Sequence, residues 1–378
     1  MSSYRFLRTW VYASILFAGI VSLFNYSADP YMVFGTRWFD SFITNRPAAS
    51  SRARLFKPYQ VERVNPETII VGNSRPELGL NPLSECWPKM YLPVYSLTFP
   101  GSGIIYQMKM LRDSINRTRV KHVFLAIDFR NFLIELDSQH LTDNKKANAI
   151  EKDAIRPNGL WEILQGNKYR DYMKSLFSID AFFDSLNTVL MQKTTSATRT
   201  RQGFNPGNNY IDIIRNEGQW VLFEQKTKEI ERLFVSGKYV LPDLSKNKSP
   251  QLRALLDMIE RMRRKGIDLH IFLNPYHKVY LDIIRKTGYW PMLESFKVQF
   301  KDILREKGYR NVQLWDFTIY SAYNSEVVPI KGASNRSLNW FWEPAHYRKE
   351  LGDLMIQLMT GKNCTNEKNI SSLGVKIF

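Results

Sequence analysis

The sequence is poor in cysteine and histidine and short of acidic residues. Among 378 residues there are only Cys86 and Cys364, and five histidines. No Cys-x-x-Cys pair or Cys/His cluster occurs, so no structural zinc site and no other metal site is expected. Cys364 lies in a polar terminal stretch, 363–378, expected to be loose, and the two cysteines are therefore expected to stay unbridged. Acidic residues number 36 against 53 Lys and Arg, a formal net charge of +17. Nucleic acid is the usual partner of such a surplus, but no zinc-finger, helix-turn-helix or RNP-type pattern accompanies it, and no nucleic-acid partner is expected. Attraction to anionic headgroups or to a polyanionic surface glycan accounts for the charge, and so does plain solubility near a membrane. There is no internal repeat, and beyond the N-terminal region no second long apolar run.

What is present begins with Arg5 and Arg8, followed by Thr9–Tyr26, a stretch without a single charge. As a helix it extends about 27 Å, the thickness of a bilayer core. Trp10, Tyr12 and Tyr26 lie near its ends, where amphipathic aromatics favour the membrane interface. A cleavage site needs small residues at −3 and −1, and the bulky Tyr26 precedes Ser27-Ala28. Residues 1–28 therefore read as an uncleaved signal anchor, with residues 9–26 in the bilayer. The basic flank stays cytoplasmic and everything from Asp29 lies outside, in a periplasmic or cell-surface domain.

A juxtamembrane segment, 29–65, carries Arg52, Arg54 and Lys57. Alternation of strands and helices follows. Thr68–Val71, Val94–Leu97 and Val123–Ile127 are short continuous apolar runs, as buried parallel strands are. Ile104, Met108, Leu111 and Ile115 fall on one helical face. From 130 to 249 the pattern breaks into amphipathic pieces (Lys168–Met191), a polar stretch (Thr194–Gln202) and a Gly/Asn-rich turn (Gly203–Asn209). This reads as a mostly helical insertion serving as a lid or cleft wall. Alternation then resumes with helix Gln251–Lys265, strand Leu269–Leu273, a helix around Leu293–Glu306, strand Val312–Trp315 and a last helix following Pro344. Residues 66–129 and 250–362 together predict one α/β domain, a parallel sheet with helices on both sides.

Two short motifs carry the chemistry. Ile69-Ile70-Val71-Gly72-Asn73-Ser74-Arg75 is a strand running into a turn that exposes a serine, and Trp342-Glu343-Pro344-Ala345-His346-Tyr347 places a histidine three residues after a carboxylate. A serine hydroxyl is a weak nucleophile that needs an imidazole base, itself held in one tautomer by an acid. Ser74, His346 and Glu343 are thus the candidate nucleophile, base and orienting acid. A helix N-terminus beside His346 would favour its neutral, basic form. Parallel sheets bind ligands beyond the carboxyl ends of their strands, and the remaining candidates fall there: Asn73, Gly101 and Gly103 at the cleft, with Arg75, Asp128, Tyr276 and His277 as substrate contacts. Arg75 has a second reading as the partner of Glu77, and His277 as a structural loop residue.

These blocks resemble the SGNH hydrolase superfamily, whose serine lies in a Gly-x-Ser block after the first strand and whose histidine lies in an Asp-x-x-His block near the C-terminus. Asp29-Pro30-Tyr31, the Gly-x-Ser-Arg block, the Gly-containing turn near residue 101 and the ending around His346-Tyr347 are similar to a single-anchor, extracytoplasmic branch associated with surface-polysaccharide modification. The resemblance covers roughly 66–128 and 250–360 and omits the insertion. It implies a flavodoxin-like three-layer fold, Ser74, His346 and Glu343 in the catalytic roles, and Gly101 or Gly103 joining the Ser74 amide in an oxyanion hole. The chain departs from the pattern in having Glu for Asp and in lacking the Asn block. Asp128 sits near that block's place, with Asn73 and Asn131 as substitutes. The implied activity is a serine esterase or O-acyltransferase acting on acyl esters of a cell-surface polysaccharide, without cofactor, partnered by the glycan and a membrane acyltransferase. The alternative is a catalytically silent binding or assembly subunit of a polysaccharide biosynthesis or export system.

Overall fold

The short apolar runs enter one sheet, and their period of two divides the core. The computed structural model describes residues 3–39, 41–136, 159–192, 199–246, 249–332, 337–367 and 369–378, and no side chain within 159–167. Residues 194–198 of the polar stretch and 137–158 of the insertion lie outside the described residues. Strands β1 (Thr68–Gly72), β2 (Val94–Thr98) and β3 (His122–Ile127) are buried along their whole length. Ile69, Val71, Val123 and Leu125 face one core and Ile70, Phe124 and Phe272 the other. Helices cover both faces, which is why these strands are continuously apolar.

Two short strands in the insertion region, β4 (Ile134–Glu135) and β5 (Tyr239–Val240), pair with each other outside the main sheet. The main sheet continues with β6 (Asp268–Leu273) and β7 (Val312–Asp316), and its order is β10-β7-β6-β3-β1-β2. The five strands from β7 to β2 are parallel, with Thr68 of β1 opposite both Val94 and His122. Strand order therefore reverses between β1 and β3, where a crevice opens beyond the strand ends.

Strand β10 is Val375–Lys376, running antiparallel to β7 with Val375 opposite Asp316. The terminal stretch expected to be loose thus closes the sheet edge. A disulfide joins Cys86 to Cys364 across 278 residues, correcting the expectation that they stay unbridged. The polarity of the tail's first half concealed this, because its anchorage comes from one covalent bond, backbone pairing and the few apolar residues at its end, Leu373, Ile377 and Phe378, packed on the cores.

Helices α1 (Ser3–Ala28), α2 (Ala53–Val64), α3 (Ser74–Gly79) and α4 (Ile104–Ile115) precede the insertion. Helix α1 is long and apolar enough to cross a membrane. The insertion supplies α5 (Gly159–Phe177), α6 (Ile179–Leu190), α7 (Asn208–Glu217) and α8 (Gln219–Ser236). Then come α9 (Pro250–Arg264), α10 (Lys278–Lys286), α11 (Trp290–Glu306) and α12 (Lys349–Thr360). Helix α9 starts where Ser249 accepts the Leu252 amide ahead of Pro250, the expected start signal. Helix α12 starts five residues later than Pro344. Phe341–Glu343 (β8) and His346–Tyr347 (β9) form a small hairpin instead, held by the Glu343 carboxylate accepting the Ala345 amide at 2.9 Å.

Candidate active site

Strand β1 ends at Gly72, where a Cβ would fall 2.5 Å from Pro76 Cγ and 3.0 Å from Ala126 Cβ. The chain can therefore turn sharply, and Asn73 caps α3 by accepting the Arg75 amide at 3.0 Å. Ser74 is left half-buried as the first residue of α3. Its Oγ lies 2.7 Å from His346 Nε2, although 272 residues separate them. On the far side of the ring, His346 Nδ1 is hydrogen-bonded to Glu343 Oε1. Burial pushes the Glu343 carboxyl up, but the imidazole and the Ala345 amide outweigh burial and hold it below its ordinary value, so it is ionised. The three residues form one continuous hydrogen-bonded run.

Asp128 is the centre of a second network, beside the first. Its carboxylate accepts from Asn73 Nδ2, from Arg75 Nη1 at 2.7 Å, from Asn274 Nδ2 at 3.0 Å and from the Tyr276 hydroxyl at 2.7 Å. Arg75 Nε also donates to Ala345 O at 3.0 Å. Burial works against the Arg75 charge, but Asp128 more than offsets it and keeps the guanidinium firmly protonated. Asp128, Arg75 and Tyr276 thus brace the serine turn against the histidine hairpin and the loop after β6. The Asp128 carboxylate, the Tyr276 hydroxyl and Arg75 Nε and Nη1 thus all have protein partners. Asn73 is likewise committed to Arg75 and Asp128, which takes its amide away from the oxyanion position.

His277 stands apart. It caps α10, its Nε2 meets Glu326 O at 3.0 Å, and its ring packs edge-on against Phe223 and Phe341. Burial pushes it down to about 4, and these contacts hold the ring in place. Gly101 and Gly103 sit on the exposed turn after β2. That turn begins beside the serine, since the Phe99 amide donates to Gly72 O at 2.8 Å. Gly101 has a φ of +66° with open space around it.

Several residues that shape the site carry no sequence signal. A Cβ on Gly79 would meet the Tyr347 ring at 1.9 Å, and one on Gly352 would meet Gly79 O at 1.8 Å. These two contacts bring α12 and β9 against α3, and so bring His346 to Ser74. Beneath α3, Glu77 pairs not with Arg75 but with the buried Lys57 (2.8 Å) and Arg199 (2.8 Å). Burial lowers the Lys57 ammonium most, Glu77 opposes that and Arg199 adds to it, leaving the group at about 8. Lys57 also donates to Thr98 O and to Gly203 O, while the Ser96 amide donates to Gln202 O at 2.8 Å. The insertion is thereby fastened along the free edge of β2. Gln219 of α8 holds the hairpin from above, donating to Phe341 O at 2.6 Å and Trp342 O at 3.0 Å. Tyr210 of α7 stacks on Trp342 and reaches within 6.3 Å of the His346 ring. The insertion therefore packs against the hairpin that carries His346.

No group of three or more His, Cys, Asp or Glu side chains with metal-holding geometry occurs among the described residues. No family model matches the chain, and no curated protein sequence matches it.

Proposed function

We propose that the chain is a membrane-anchored, extracytoplasmic serine esterase or O-acyltransferase with an SGNH-like, flavodoxin-like fold, acting on acyl esters of a cell-surface polysaccharide. The observation that carries this reading is the run from Ser74 Oγ through His346 to an ionised, buried Glu343 at the carboxyl edge of the sheet. In this reading Ser74 Oγ attacks the ester carbonyl carbon and His346 Nε2 takes its proton. The proton then goes to the departing alcohol oxygen, leaving an acyl-enzyme. Water or a sugar hydroxyl attacks next, His346 again accepts the proton, and Ser74 is released. The Ser74 amide and the turn at Gly101–Gly103 would receive the oxyanion charge.

The Cys86–Cys364 disulfide supports an oxidising, extracytoplasmic compartment, and α1 supports the anchor. The Tyr210–Trp342 pair beside His346 supplies an aromatic wall suited to a sugar ring, and the +17 charge suits a polyanionic surface. A membrane acyltransferase would be the natural donor partner if transfer rather than hydrolysis is the reaction. One observation favours the second reading, a catalytically silent assembly subunit: Asn73 and Asp128 are both occupied, so neither supplies a third oxyanion donor. A fluorophosphonate probe on the full chain in detergent decides between them. Covalent labelling that disappears in Ser74→Ala supports the enzyme; an unlabelled wild-type protein overturns it.

A further inference from the structure

Helix α6 is built inside out. Its inner face carries Ala181, Ser185 and Thr188, all fully buried, and the hydroxyls of Ser185 and Thr188 have no hydrogen-bond partner among the described residues. Its outer face carries Ile179, Phe183, Leu186 and Leu190, spaced as one helical stripe and exposed by 75, 57, 38 and 70%. A helix of a water-soluble domain shows the opposite arrangement. Small and hydroxylated residues within, large apolar ones without, is how helices pack when the medium around them is lipid. The end of α5 continues the pattern, with Met173 and Phe177 outside and Ser175 buried within.

The position of this face says what covers it. Phe24, near the end of α1, packs on Phe182 with ring centres 5.8 Å apart, and Asn25 Nδ2 donates to Leu176 O at 2.8 Å. The loop after α1 adds three exposed aromatics, Trp38, Phe39 and Phe42, and Trp38 meets Tyr26 at 5.5 Å. The apolar surface therefore lies around the point where α1, the membrane-spanning candidate among the described residues, reaches the domain. Lys168, Arg170 and Lys174 on α5 are exposed beside it, as a surface meeting anionic headgroups requires.

We propose that α6, the end of α5 and the side chains of Trp38, Phe39 and Phe42 form a second membrane contact, lying in the headgroup and upper acyl region of the bilayer that α1 crosses. The single helix is then not a tether on a swivelling domain. The contact fixes the domain's orientation, and with it the direction in which the Ser74 crevice opens. This inference rests on the anchor part of the reading above and is independent of the ester chemistry.

The test uses the full chain in vesicles of phosphatidylethanolamine and phosphatidylglycerol, each variant carrying one added cysteine labelled with an environment-sensitive fluorophore under non-reducing conditions. Positions are F183C and L190C on α6, F42C in the loop, I15C in α1, and V298C as reference. Val298 lies on α11, which packs at the opposite sheet edge through the Lys297–Asp316 pair at 2.8 Å. Lipid-borne nitroxide should quench the labels at 183, 190 and 42 at least about twofold more than the label at 298. Labels at those three positions that water-borne iodide quenches as strongly as at 298 overturn the contact. Labels shielded from both quenchers overturn it too, because a second copy or another protein then covers the face. The label at 15 separates the two readings: if lipid quenches it while 183 and 190 are water-exposed, the anchor stands and only the second contact fails.

Discussion

Helices α9 and α6 read alike in sequence, each with apolar residues at helical spacing, and they sit opposite ways round. Helix α9 buries Leu252, Leu255, Leu256, Ile259 and Met262 and turns its arginines to water. Helix α6 buries Ala181, Ser185 and Thr188 and turns its large apolar residues outward. Periodicity reports that a helix has two unlike faces and is silent on which solvent each will meet. The difference divides the molecule into a proposed working end, which carries the Ser74–His346–Glu343 run, and a proposed membrane end, where apolar surface is left uncovered.

The largest expected effect tests that division at its working end. Ser74→Ala and His346→Ala should each lower turnover of a soluble chromogenic ester by about 10⁴-fold or more, while Glu343→Gln, which spares the ring's position, costs less. Phe183→Asp should leave turnover of the same soluble ester unchanged. If it matched Ser74→Ala, the two ends would not be separate.

Stability then compares the two helices directly. Leu255→Asp on α9 puts a charge into the core and should cost about 3–5 kcal/mol, enough to unfold most of the protein. Phe183→Asp on α6 should change denaturant stability in detergent by no more than about 0.5 kcal/mol. Equal losses would mean that the outer face of α6 is packed after all.

Gly352→Ala should cost about 1–3 kcal/mol and lower ester turnover beyond what stability explains, because the contact with Gly79 sets the spacing of His346 and Ser74. Circular-dichroism melting beside kinetics at saturating substrate separates the two losses.

The smallest effect is a pH dependence. Burial raises Glu77, but Lys57 and Arg199 outweigh it and hold the carboxyl below its ordinary 4.5. Below that pH the unfolded chain binds a proton that the folded one does not, so this contribution is complete above pH 4.5 and lost as pH falls through the folded value. Asp29 is raised by burial and contributes with the opposite sign. Glu77→Gln should therefore flatten the acid side of the stability curve, read as urea midpoints between pH 3 and 6.

Much of the sheet was legible because parallel strands buried on both faces must be short and apolar, as Thr68–Val71 and Leu269–Leu273 are. The serine turn was legible because Gly72-Asn73-Ser74 combines a residue without Cβ and a capping side chain. The network joining Arg75, Asp128 and Tyr276 was not, since a polar residue at a strand end has the same sequence whatever neighbour the fold brings to it. Lys57 was hidden more deeply: nothing local distinguishes it from the solvated lysines that make up the surplus charge.

The sequence alone determined the alternation of strands and helices, the apolar N-terminal helix and the residue types of the Ser–His–Glu run, because those follow from local periodicity, run length and side-chain chemistry. Tertiary structure decided which of the polar residues meet. Gly79 and Gly352 let two helices touch and carry His346 across 272 residues to Ser74, Cys364 and β10 close the sheet edge, and α6 faces outward. Each of these depends on contacts between residues far apart in the chain, whose geometry no local pattern encodes.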